Sequence, residues 1–100
     1  FSDETLSELR QAWARDDALR AMLGWYRAGA RHPPRHAGRI TVPSLLIWGE
    51  QDRFLGTQLI EPTMALCDQG QLIRFPSASH WVNHEEVDAV CSALESFFQS

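Results

Sequence analysis

An α/β fold is what the sequence predicts, and three observations predict it. Residues 1–31 carry apolar side chains at helical spacing, the chain from Val42 onward reads strand, helix, strand, helix, and the first strand is an unbroken apolar run. That run, Leu45-Leu46-Ile47-Trp48, is apolar on both faces and suits a sheet covered by helices on both sides. Two strands joined by a helix in one sheet are almost always parallel, so both are expected to end at the same edge. With 100 residues, 44% of them hydrophobic, four Trp and five Phe, the chain has enough apolar surface for a globular core.

Each element has its own signal. Ser2 or Asp3 can cap the first helix, whose Leu6, Leu9 and Trp13 follow the helical repeat. Asp16-Asp17 offers a second cap, and Leu19, Met22, Leu23, Tyr26 and Ala30 then form one stripe. His32-Pro33-Pro34 ends that helix, because proline lacks a backbone donor and disfavours helical geometry in the residue before it. Residues 32–41 read as an exposed linker. Pro43 opens the first strand and Gly49 stops it. A short helix falls between Thr57 and Cys67, starting near Ile60 so that Pro62 lies in its first turn, and Gly70 ends it. Leu72-Ile73-Arg74-Phe75 is the second strand, stopped by Pro76. Asn83 and Glu86 resemble a capping box for the last helix, with Val87, Val90, Cys91, Leu94, Phe97 and Phe98 as its buried face. The pair Glu85-Glu86 is expected to favour the positive end of that helix. Trp13, Trp25 and Trp48 are expected in the core.

Composition excludes several classes. Net charge is −4, and all nine basic residues are Arg. Seven arginines face five acids in residues 1–39, and two face eight thereafter, a mild acidity that argues against a nucleic-acid partner. No apolar run approaches the ~20 residues that cross a bilayer, so no membrane partner is expected. Cys67 and Cys91, without CxxC spacing, read as buried thiols of a reducing compartment, and a cytoplasmic location follows as the expectation. The spacing His32-x3-His36 and His80-x3-His84 suits zinc ligands on a helix, but Pro33-Pro34 forbids a helix at the first pair and no HExxH forms at the second. No metal and no cofactor are expected. Arg31, Arg35 and Arg39 are most simply a solvated linker face.

Two residues at strand exits carry the chemistry. Asp52 follows the first strand and His80 the second, 28 positions apart in sequence yet on loops that a parallel pair brings together. Asp52 can accept the Nδ1–H of His80, fix its tautomer and stabilise the imidazolium, leaving the other ring nitrogen as a base. Acid before histidine, after the last two strands, is the chain order of α/β-hydrolases.

The wording around these residues extends that order. The segment from Val42-Pro43 through Gly49 to Asp52-Arg53-Phe54-Leu55, and Phe75-Pro76-Ser77-Ala78-Ser79-His80-Trp81, resemble the C-terminal half of α/β-hydrolases, most closely the epoxide hydrolase branch. Leu23-Gly24-Trp25-Tyr26-Arg27 is similar to the last helix of the lid in that branch. The resemblance implies that residues 1–31 end a helical lid, 32–41 link it, and 42–100 are the C-terminal strand-helix-strand-helix part of the hydrolase core. It also implies a two-step mechanism. An upstream carboxylate attacks the epoxide of a small apolar substrate, Tyr26 and a second lid tyrosine stabilise the alkoxide, and His80, oriented by Asp52, activates the water that hydrolyses the ester. Trp81 either lines the pocket or packs under the histidine loop. Phe54 and Leu55 read more simply as loop anchors than as substrate contacts, and Tyr26 has the alternative of a core aromatic with its hydroxyl at the rim.

The sequence holds no G-x-S-x-G, no equivalent elbow carrying Asp and no oxyanion-hole loop. The chain, starting at Phe1 without Met, is therefore expected to be a fragment, inert alone and prone to self-association through exposed apolar surface. Two other readings stand beside the epoxide hydrolase. One is a different α/β-hydrolase, a haloalkane or haloacid dehalogenase or a carboxylic esterase acting on an ester-like substrate, decided by whether the nucleophile is Asp or Ser. The other is a non-catalytic truncated product.

Overall fold

The computed structural model describes residues 2–32 and 38–99 and divides into two compact units, residues 1–37 and 38–100. In the first unit, helix α1 spans Asp3–Trp13 and helix α2 spans Ala18–Arg31. Ser2 caps α1, its hydroxyl accepting the Thr5 N–H at 3.1 Å. Asp3 and Glu4 in the first turn and Arg10 in the last complement the helix dipole. Asp17 precedes α2 in a left-handed conformation, φ 61°, and its side chain makes no capping bond. It caps by geometry alone, as the short polar aspartate can. His32 closes α2, its N–H reaching Ala28 O at 2.8 Å. Pro33, Pro34, Arg35 and His36, central to the sequence reading of the linker, lie outside the described residues.

Neither helix buries a residue. The stripe Leu19, Met22, Leu23 and Tyr26 is more than half exposed throughout, and Trp25 is 83% exposed. Trp13 is also exposed. The expectation of core tryptophans therefore fails for Trp13 and Trp25, because helical periodicity identifies an apolar side without supplying the surface that covers it.

The second unit is built on strands β1, Ser44–Gly49, and β2, Gly70–Phe75, paired in parallel with Ser44 opposite Gly70 and Gly49 opposite Phe75. Between them a 3-10 turn, Thr57–Leu59, leads into helix α3, Ile60–Ala65, with Pro62 in its first turn where a missing N–H costs nothing. The approach to β1 is pinned to the end of α3. Ile40 and Cys67 form a parallel bridge, Ile40 N–H donates to Leu66 O at 2.8 Å, and the Arg39 guanidinium holds Asp68 Oδ1. Gly70 does not end α3; it opens β2. A side chain there would meet Met64 Cε at 2.8 Å and Cys67 Cβ at 2.9 Å, so the glycine serves the packing of α3 on the strand. On the strands, Ser44–Trp48 are half-buried and Gly49 is buried, short of the double-sided cover expected of so apolar a run. Trp48 is half-buried, its Nε1 enclosed without a hydrogen-bond partner among the described residues.

The C-terminal helix departs from its sequence reading. It is broken into α4, Val82–Glu85, and α5, Val87–Gln99, at Glu86, whose φ of −123° and ψ of 46° are not helical. Trp81 occupies the cap of α4, so no Asn83–Glu86 capping box forms. On α5, Val90 is buried and Ala93 and Phe97 half-buried, whereas Val87, Cys91, Leu94 and Phe98 are exposed. Cys67 is half-buried and Cys91 exposed, both free thiols, which corrects the expectation of two buried ones. Ile60, Ala78 and Val90 are the buried apolar residues of this unit, and a fully enclosed side chain such as Ile60 contributes about 1.5–3 kcal/mol. Among the described residues no helix is long and apolar enough to cross a membrane.

Candidate active site

The loops leaving β1 and β2 are tied together by their own backbones. Glu50 N–H donates to Phe75 O at 3.0 Å, Gln51 N–H to Ala78 O at 2.9 Å, and Gln51 Nε2 to Pro76 O at 3.0 Å. Gly49 is required where these loops cross. A Cβ on it would lie 2.1 Å from Ser79 O and 2.6 Å from Ala78 O, so only glycine lets the second loop pass over the end of β1. Ala78 is small and buried at the same crossing.

This crossing brings the two sequence-predicted residues together. Nδ1 of His80 lies 2.8 Å from Oδ2 of Asp52, the N–H donating to the carboxylate. The other oxygen, Oδ1, accepts Phe54 N–H at 2.8 Å and Leu55 N–H at 2.9 Å, which fixes the carboxylate against the turn that follows it. The Asp52 side chain is 8% exposed and that of His80 38%. Burial pushes the Asp52 carboxyl up, but the bonds from Leu55 N–H, His80 and Phe54 N–H, with the charge of His80, outweigh it and hold the carboxyl below its ordinary value. Asp52 is thus an anchored carboxylate. His80 is oriented through Nδ1, and Nε2 is left for proton transfer.

Aromatic edges flank the imidazole: the Phe54 ring centroid is 5.2 Å away and that of Trp81 5.6 Å, both T-shaped. A cavity of about 300 Å³ opens beside it, lined by Gln51, Arg53, Phe54, Ser79 and His80. Phe54 is therefore a wall of this cavity as well as an anchor of its loop. Trp81 packs edge-on to His80. Tyr26 is on α2 of the first unit and 77% exposed.

One residue of this site was assigned another task in the sequence reading. Glu85 does not serve the N-terminus of the long helix. It ends α4, and its carboxylate accepts Ser79 N–H at 2.5 Å and Ser79 O–H at 2.6 Å. The Ser79 hydroxyl and N–H hold the Glu85 carboxyl below its ordinary value against a smaller upward push from burial. Among the described residues, no three His, Cys, Asp or Glu side chains group as a metal site.

Known proteins share this stretch of sequence. Over 90 residues, 86% of the chain, it is 42% identical to the AB hydrolase superfamily protein YfhM of Bacillus subtilis (strain 168). These residues belong to the α/β-hydrolase superfamily. Within it, epoxide hydrolases match almost the whole chain: Epoxide hydrolase 2 of Caenorhabditis elegans at 25% identity over 97% of it, and Epoxide hydrolase 4 of Homo sapiens at 27% over 99%. The chain spans 30%, 28% and 28% of the lengths of these three relatives. No protein-family model matches it. The helices and the small parallel sheet fit part of an α/β-hydrolase.

Proposed function

We propose that this chain supplies the acid–base half of an epoxide hydrolase-like site, in which an epoxide is opened to a diol through an ester intermediate. The observation that carries the reading is the 2.8 Å bond between His80 Nδ1 and Asp52 Oδ2, with His80 lining a cavity, in a stretch related along nearly its full length to named epoxide hydrolases. A carboxylate elsewhere in the intact protein attacks the less hindered carbon and takes the substrate as an ester. Asp52 keeps the proton on Nδ1, so His80 Nε2 removes a proton from water, and the hydroxide adds to the ester carbonyl. Collapse of that adduct, with the proton passing from His80 Nε2 to the departing alkoxide, releases the diol and restores the carboxylate. Tyr26 donates to the oxygen that gains charge as the epoxide ring opens, and residues 1–31 form the end of a lid. The cavity wall of Phe54, with Gln51, Arg53 and Ser79, suits a small, largely apolar substrate.

A second reading keeps Asp52 and His80 and changes the nucleophile. The 42% identical relative is named for the superfamily alone, which fits a serine esterase or a dehalogenase equally well. Assay of the intact protein with aryl epoxides, haloalkanes and carboxylic esters separates the three. Diol formation as the fastest reaction is expected, and preferential ester cleavage would replace the epoxide reading with acyl transfer.

A further inference from the structure

Asp52 holds the His80 ring at Nδ1, and the residues on both sides of His80 in the chain are held as well. Ser79 gives its N–H and its O–H to the two oxygens of Glu85, at 2.5 and 2.6 Å. The Ser79 Oγ in turn accepts the Trp81 N–H at 3.2 Å. The Trp81 carbonyl accepts the N–H groups of His84 and of Glu85 itself, at 2.8 and 3.0 Å. The residue before His80 and the residue after it therefore both close onto Glu85, one through its side chain and the other through its backbone. Ahead of them, Ala78 O accepts Gln51 N–H from the loop that carries Asp52.

We propose that Glu85 is the positioning residue of the histidine loop, setting the Nδ1 of His80 in line with Asp52. A carboxylate is suited to the task because it is acceptor-only and both donors it meets come from one residue. Bonds to an ionised acceptor are shorter and stronger than neutral ones, and the two here are of that kind. An amide of the same shape keeps one oxygen where two acceptors are used, so one of the two Ser79 donors loses its acceptor. The loop relaxes and the imidazole loses its alignment. The proposal rests on the reading of His80 as the base, but its geometry is separable from the reaction.

The test uses the intact protein with Glu85→Gln, Ser79→Ala and both together. Expected for Glu85→Gln is a fall in kcat of about 10- to 100-fold, the scale of a small misplacement of a reacting group, with KM within about twofold. Ser79→Ala, which retains the N–H bond, falls less. The double variant is no worse than Glu85→Gln alone, as for two members of one unit. The downfield proton resonance of His80 Nδ1–H, a direct signature of the bond to Asp52, broadens or disappears in Glu85→Gln. A variant that keeps both wild-type kcat and this resonance overturns the proposal, as does a purely additive double variant. Should Glu85→Gln fail to fold, Ser79→Ala alone decides, since unchanged kcat and an unchanged resonance there also overturn it. Because the resonance reads the Asp52–His80 bond without any substrate, its loss in Glu85→Gln supports Glu85 even where no hydrolytic turnover is found, a result that sinks only the function reading.

Discussion

Residues 1–37 and 38–100 treat their apolar residues in different ways. The two helices of the first unit bury nothing, and Leu19, Met22, Leu23 and Tyr26 are all more than half exposed. In the second unit two loops leaving adjacent strands cross at Gly49, exchange backbone bonds and bury Ala78. The comparison separates two kinds of order. A helix satisfies its own backbone and needs another surface only for its side chains. Parallel strands must find partners, and the partner found here positions the chemistry. The Asp52–His80 pairing is accordingly set within the second unit, whereas the contribution proposed for Tyr26 depends on what its exposed helix meets.

The largest effect is expected from breaking the second unit at its charge pair. Asp52→Asn preserves the shape of the site but removes the acceptor that fixes the Nδ1–H tautomer, and kcat of the intact protein should fall about 10⁴-fold. A variant within tenfold of wild type would take Asp52 out of the mechanism. The first unit is probed by Tyr26→Phe. If that helix delivers a donor to the opening epoxide, removal of the hydroxyl should cost about 10²–10³ in kcat on epoxides and leave ester cleavage unaffected. Equal losses on both substrates, or none, would return Tyr26 to an ordinary exposed aromatic.

The loops that carry the site show how much was legible in the sequence. The meeting of Asp52 and His80 could be read because a strand exit is a narrow position: an apolar run, a glycine, then a polar residue on a short loop. The parallel pairing of β1 and β2 followed from the strand-helix-strand pattern. Glu85 could not be read, because Asn83 and Glu86 beside it offered a plausible capping box and nothing local marks the break at Glu86. A signal did exist in Ser79, a hydroxyl adjoining the histidine with a carboxylate six residues on, but only the short α4 turns the two toward each other. Gly70 was misread because glycine ends helices and also yields to close packing, and Met64 and Cys67 select the second use here. The exposure of Trp25 and Cys91 was hidden for a third reason: hydrophobicity reports what a side chain prefers, and burial requires a neighbour.

The crossing itself can be tested with Gly49→Ala. A Cβ placed 2.1 Å from Ser79 O forces the loops apart, and overpacking of this kind costs about 1–3 kcal/mol. Urea unfolding of the intact protein should show a lowered midpoint, together with a fall in kcat. An unchanged midpoint would mean that the loops are not set by this close approach. The smallest effect concerns acid. Because Asp52 has its carboxyl held below the ordinary value, the stabilisation from its bonds is fully present above the unfolded pKa of about 3.9 and is lost as pH falls through the lower native value. The thermal midpoint should therefore drop on acidification below about pH 4, and Asp52→Asn should flatten that dependence. Parallel pH curves for the two proteins would contradict this assignment.

His80, oriented by Asp52, is proposed to activate the water that hydrolyses an ester intermediate. Mass spectrometry of the intact His80→Ala protein after incubation with an aryl epoxide tests it most directly. The variant is expected to retain the mass of one epoxide while diol release falls below detection, because ring opening proceeds and ester hydrolysis does not. Diol release at the wild-type rate with no retained mass would contradict it.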